Sequence, residues 1–168
     1  MYNVDLDDLV AANRINITDS IEIGQRIIIP GRSKPQPQLI KYSESDEFIW
    51  PLKGRVISGF GQTYNNMLNK GINIQPYASR DVVAAKGGKV VFCSEDFASL
   101  GKTIIIEHSD RISSVYGRNS EVYVKTGDIV SKGAVIAKAG SSGRDKNTYL
   151  HFEIRKRANP QNPLFYLS

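Results

Sequence analysis

These 168 residues contain only two imidazoles, one thiol and one indole: two histidines, one cysteine and one tryptophan. With Cys93 alone, no intramolecular disulfide can close, and no zinc-finger spacing exists. The thiol sits in Val90-Val91-Phe92-Cys93, an apolar setting that reads as buried. No apolar run approaches the roughly 18 residues that a membrane span requires. Nothing at the N-terminus has the order of a signal peptide, so the chain reads as a mature or cut-down form. Long runs of like charge are also missing. The net charge is +5, yet Lys and Arg are scattered among acids, and Arg155-Lys156-Arg157 is the single basic run. That run reads as a solvated face. Without a basic stripe interleaved with aromatics, nucleic-acid binding has no support. A mildly basic surface suits anionic polymers of the cell envelope, or no partner in particular.

What the chain does contain is alternation. In Thr148-Tyr149-Leu150-His151-Phe152-Glu153-Ile154-Arg155, Leu150, Phe152 and Ile154 share one face. Tyr149, His151, Glu153 and Arg155 share the other, which is the period of a half-buried strand. The apolar face belongs to a core, leaving the second free to present polar groups to a groove. His151 taken alone reads as a partly exposed strand histidine. Short strands are expected at 55–58, 72–74, 81–84, 88–93, 102–108, 112–116, 129–130, 135–139 and 149–155, separated by glycine turns. Long helical periodicity is absent from residue 48 onward. Residues 48–168 therefore read as an all-β domain, a sandwich or partly closed barrel. Trp50, in Phe48-Ile49-Trp50-Pro51, reads as an edge-packing anchor rather than a ligand platform.

Upstream, residues 31–47 hold two prolines, few aliphatics and the acids Glu44, Asp46 and Glu47, the composition of a linker. Residues 1–30 differ. Val4, Leu6, Leu9 and Val10 recur at helical spacing toward Asn13, and Arg26-Ile27-Ile28-Ile29-Pro30 reads as a strand. This stretch resembles the second half of a LysM module, a small α/β unit that binds N-acetylglucosamine-containing glycans such as peptidoglycan. The module's first strand and the start of its first helix have no counterpart upstream of Met1. A sheet left with an unpaired edge is not expected to fold or to bind glycan as an independent module.

The segment from Lys125 to Ala137 resembles the turn–strand–turn unit of biotinyl and lipoyl carrier domains, but their Met-Lys-Met or Asp-Lys-Ala signature is absent. A broader likeness runs in order across nearly all of residues 48–168. It is carried by Trp50-Pro51-Leu52, by Gly54 to Gly61, and by Asn69-Lys70-Gly71-Ile72-Asn73-Ile74. It continues through Gly101 to His108, Val115-Tyr116-Gly117-Arg118-Asn119 and Tyr149 to Arg155. These stretches resemble the LytM-type, lysostaphin-like zinc metallopeptidases that cut peptidoglycan cross-bridges.

In that family zinc is held by a His-x-x-x-Asp pair and by the second histidine of a His-x-His strand, with water in the fourth position. Here the pair falls on Asn69 and Asn73, and only His151 is retained. The first His-x-His histidine falls on Tyr149, and that of a Tyr-Gly-His-Asn motif on Arg118. Asn73 has no anionic oxygen, and a guanidinium cannot serve as a general base. At an effective dielectric near 20, a dication about 5 Å from that cation would cost on the order of several kcal/mol. His108 falls where the family often has a non-ligand histidine. The resemblance thus implies no catalytic residue, no metal and no other cofactor, as in degenerate LytM domains of the NlpD- and EnvC-type murein hydrolase activators.

Those factors switch on N-acetylmuramoyl-L-alanine amidases of the cell wall during cell separation, in the periplasm. The implied partner is such an amidase, held in the emptied peptidase groove, and peptidoglycan is a second candidate partner. Asn69, Asn73, Arg118, Tyr149 and His151 would line the groove, and Arg118→Glu would weaken partner binding; a surface salt bridge is the plainer role for Arg118. A passive peptidoglycan-binding module and a residual zinc endopeptidase with unusual ligands are the alternatives, and residues 1–47 lying across the groove are a further one. A membrane would be reached only through an anchor absent from this chain.

Overall fold

The computed structural model describes residues 47–64, 67–142 and 145–168, so the LysM-like stretch and nearly all of the expected linker lie outside the described residues. The strands are β1 (Gly54–Ser58), β2 (Thr63–Tyr64), β3 (Met67–Leu68), β4 (Ile72–Pro76), β5 (Asp81–Val83) and β6 (Gly88–Ser94). They continue as β7 (Lys102–Glu107), β8 (Ile112–Val122), β9 (Ile129–Val130), β10 (Val135–Ser142), β11 (Asp145–Lys156) and β12 (Asn159–Gln161). Each of the nine expected stretches is a strand. β2, β3 and β12, only two or three residues long, were not expected.

Ten strands form one antiparallel sheet with the path β1-β4-β11-β10-β8-β7-β6-β9, which does not close on itself. β12 adds to β11 and β5 to β10, while β2 and β3 make a separate hairpin. The expected mostly antiparallel architecture is present, as an open sheet rather than a barrel.

Register explains the core. Leu150 pairs with Ile74 and Phe152 with Ile72 across β11 and β4, and Phe152 pairs with Tyr116 across β11 and β8. All five side chains are fully buried, together with Ile154, Ile104, Ile106 and Ile136. Each such side chain contributes roughly 1.5–3 kcal/mol of burial free energy, so a slip by one residue is strongly opposed. The two ends of the described domain are tied together. Phe48 bridges to Leu167, Ser168 N–H donates to Phe48 O at 3.0 Å, and the Phe48 ring meets His108 edge-on at 5.1 Å. Phe48 and Leu52 are the buried anchors here, whereas Trp50 is 36% exposed. Cys93 is only partly buried; its Sγ faces Val124 O, and burial pushes its pKa up.

His108 belongs to this packing. Its Nδ1 lies 2.9 Å from Gly87 O, which can only accept, so Nδ1 carries a proton. Burial lowers the ring's pKa to about 4, so near neutral pH Nε2 is an acceptor for Ser114 Oγ at 2.7 Å. Ser114 Oγ is also 2.9 Å from Tyr116 Oη, which accepts the Ala85 N–H at 2.8 Å. Hydroxyl hydrogens can rotate, and the neutral ring orders them from Tyr116 through Ser114 to His108. The network joins three segments, at 85–87, at His108 and at 114–116 on β8, and serves packing.

Candidate functional site

The opposite face of β11 carries the polar constellation. At His151 the strand pairs with Asn73 of β4 on one side and Gly117 of β8 on the other. His151 Nδ1 lies 2.8 Å from Asn73 Oδ1, and its Nε2 lies 3.0 Å from Glu153 Oε1. Glu153 Oε2 accepts from Arg155 Nε at 2.6 Å. A carboxylate accepts only, so Nε2 holds a proton; Asn73 meets Nδ1 through its amide oxygen or, turned about, its amide NH2, and both ring nitrogens are engaged. Glu153 is 2% exposed. Burial pushes its pKa up, but the hydrogen bonds from His151 and Arg155 outweigh that and leave it lowered. Gly71 makes room for this carboxylate, because a Cβ there would lie 2.8 Å from Glu153 Cγ and 2.1 Å from Phe152 O.

Asn69 closes one end. Its Nδ2 donates to Ser58 Oγ at 3.0 Å and its Oδ1 accepts the Gly71 N–H at 3.0 Å. Ser58 in turn pairs with Asn73, which places Asn69 beside the floor. Arg118 closes the other end. It has φ 65°, a left-handed backbone, where β8 leaves β11 after Gly117 and takes up β10 from Asn119. Against β7 the register jumps from Ile104–Tyr116 to Lys102–Asn119, which is a β-bulge. Asn119 Nδ2 clamps it by donating to Lys102 O at 2.9 Å and Tyr116 O at 2.8 Å. The re-aimed guanidinium stacks 3.8 Å over the Tyr149 ring. Gly117 carries no side chain, and Leu100 packs over it.

The fold thus gathers all five residues singled out from sequence, from β4, β8, β11 and the turn before β4. One expectation needs correcting. The polar face is not freely open, since His151 is 9% and Arg118 8% exposed, while Asn69, Asn73 and Tyr149 are half-buried. The cause is close strand packing across Gly117 and Gly71. The Arg118 guanidinium is buried in the floor, stacked on the Tyr149 ring. Sequence reasoning did not assign roles to Glu153, Arg155 or Asn119. The first two were visible on the polar face of the strand, but the bulge that gives Asn119 its role has no pattern in one sequence.

Zinc is implied by the fold family, and the residues present do not fit it. His151 would have to release a hydrogen bond at either nitrogen to bind a metal. Both amide atoms of Asn69 are used locally, and neither Asn69 nor Asn73 brings negative charge. No group of three or more His, Cys, Asp or Glu suited to a metal occurs among the described residues.

An open antiparallel sheet with four segments converging on a polar strand face is the architecture of a LytM-type, lysostaphin-like domain. Comparison agrees. The model of peptidase family M23 matches residues 67–163, more than half the chain, and that of the LysM domain matches residues 1–30. The chain belongs to peptidase family M23. It is 41% identical over 120 residues to a lipoprotein NlpD/LppB homolog of Pseudomonas aeruginosa, covering 71% of this chain and 39% of that protein. It is 38% identical over 118 residues to the murein hydrolase activator NlpD of Escherichia coli, covering 70% of this chain and 30% of that one. The chain therefore spans well under half the length of these curated relatives.

Among solved structures, one from the SpoIIQ–SpoIIIAH pore-forming complex superposes with TM-score 0.65 at 31% identity, over 73% of this chain and 92% of that one. Lysostaphin from Staphylococcus simulans superposes with TM-score 0.63 at 23% identity, over 73% and 54%, and shares the fold.

Proposed function

We propose that this chain is a non-catalytic M23 domain that binds and activates a peptidoglycan (N-acetylmuramoyl-L-alanine) amidase in the bacterial periplasm, through the surface around Asn69, Asn73, Tyr149, His151 and Arg118. The observation that carries this reading is the internal saturation of the site. Histidine, amides and carboxylate bond one another, leaving no set of donors for a catalytic metal. Relatives named as murein hydrolase activators and lipoproteins support the role and the envelope setting. The same reading takes residues 1–30 as the C-terminal part of a LysM-like module, 31–47 as a linker and 48–168 as the M23 domain.

The test is dye release from labelled peptidoglycan by the chain alone, a cell-wall amidase alone, and both together. Release above the amidase level only in the combined reaction supports the proposal. Chelator-sensitive release by the chain alone refutes it.

A further inference from the structure

A strained basic turn lies at the far end of the same strand. β11 and β12 are joined by a two-residue turn, with Lys156 paired to Asn159, and both central residues are left-handed: Arg157 at φ 50° and Ala158 at φ 67°. Turns with positive φ at both central positions favour Asn-Gly, because side chains beyond Cα are crowded there. Arg157 N–H donates to Arg111 O at 2.8 Å, and Arg111 is itself left-handed at φ 58°. Two of the five non-glycine residues with positive φ among the described residues are thus joined by one hydrogen bond, and a third, Ala158, follows directly in the chain. Arg111, Lys156 and Arg157 are all exposed, and no ion pair involves them among the described residues. Asp110 is the neighbouring acid, and Arg155 is already committed to Glu153. Strain retained where an unstrained pair exists points to a use for the side chain.

We propose that Arg111, Lys156 and Arg157 form a cationic knob that holds the carboxylate-bearing stem peptides of peptidoglycan. It lies five residues along β11 from His151, about 17 Å away. The assignment rests on the reading that this chain works at the cell wall, and it gives the domain a hold on the polymer that leaves the groove free for the amidase. Carboxylates are chosen over phosphates because the polymer in that reading carries them on every stem peptide. Three exposed cations held together by backbone geometry offer a multivalent, salt-sensitive contact rather than a tight pocket.

The test is co-sedimentation of the full chain with purified sacculi, across a salt series. The variant Arg111→Gln/Lys156→Gln/Arg157→Gln should bind about tenfold more weakly at low salt. Arg157→Asn/Ala158→Gly should melt higher while also binding more weakly. Both variants keep residues 1–30, so any glycan binding there cancels from the comparison. The triple variant lies outside the groove and should still activate the amidase in dye release as the parent does, which separates this inference from amidase activation. Undiminished binding by the triple variant would overturn the knob. So would equal binding to glycan strands stripped of peptides, or stronger binding to phosphatidylglycerol vesicles than to sacculi.

Discussion

Lowering the pH from about 7 to 5 should destabilise this domain by about 2 kcal/mol through His108 alone. The ring is 6% exposed and donates to Gly87 O, and burial lowers its pKa from 6.5 to about 4. In the unfolded chain the imidazole takes up a proton as pH falls through about 6.5; in the folded domain it does not until about 4. The unfolded state therefore binds more protons across that interval, and stability falls as pH falls. The contribution is fully present above the unfolded value and lost progressively toward the folded one. Across the whole window it is about 3 kcal/mol, from about 2.5 units at about 1.4 kcal/mol each. Glu153, with a lowered carboxylate pKa, withdraws its stabilisation only below the ordinary carboxylate range, so measurement at about pH 5 keeps the two apart. Urea unfolding of the parent and of His108→Gln at the two pH values isolates the term, since His151 is common to both. The parent should lose about 2 kcal/mol more than the variant. Equal losses would refute the reasoning, as would a His108 proton resonance titrating near its ordinary value.

Gly71→Ala should cost about 2–3 kcal/mol or more in urea unfolding, because the new Cβ would sit 2.1 Å from Phe152 O and neither strand can yield without breaking register. A neutral result would mean that β4 is looser than described. Tyr116→Phe strands the buried Ala85 N–H and should lower stability by about 1–3 kcal/mol; a smaller effect would show that water replaces the hydroxyl. Arg118→Lys keeps the charge but loses the planar stack on Tyr149, and should weaken amidase activation several-fold with little change in melting temperature. This variant is preferable to Arg118→Glu, which would bury an anion at a position 8% exposed. Unchanged activation by Arg118→Lys would remove Arg118 from the binding surface.

Much of the fold was legible because its signals are periodic. The alternation through Leu150, Phe152 and Ile154 fixed which face of β11 meets the core, and all three are fully buried. Glycine spacing marked the turns between nine strands. Pairs such as Thr63–Tyr64 and Met67–Leu68 are too short to show a period, so the hairpin they form was not. The five candidate residues were singled out by their positions in a family pattern, which says nothing of their relations to one another. That His151 sits between Asn73 and Glu153 depends on which strands flank β11, and a single sequence leaves that open. The left-handed Arg118 was equally invisible, because its bulge is defined against β7 and β11 rather than by neighbours in sequence.

The same relations bear on how the proposed protein partner would fare at this site compared with a metal. Zinc at His151 Nδ1 would displace the contact to Asn73, and zinc at Nε2 would displace the one to Glu153. Each buried group left unpaired costs about 1–3 kcal/mol, and the incoming dication would meet two neutral amides and a nearby guanidinium. A polypeptide faces none of these penalties. It can add hydrogen bonds at the exposed edges of Asn69, Asn73 and Tyr149 while the hydrogen-bonded chain from Asn73 through His151 and Glu153 to Arg155 stays intact. Rigidity then favours binding, because a floor already held in one arrangement loses little further freedom when a partner docks.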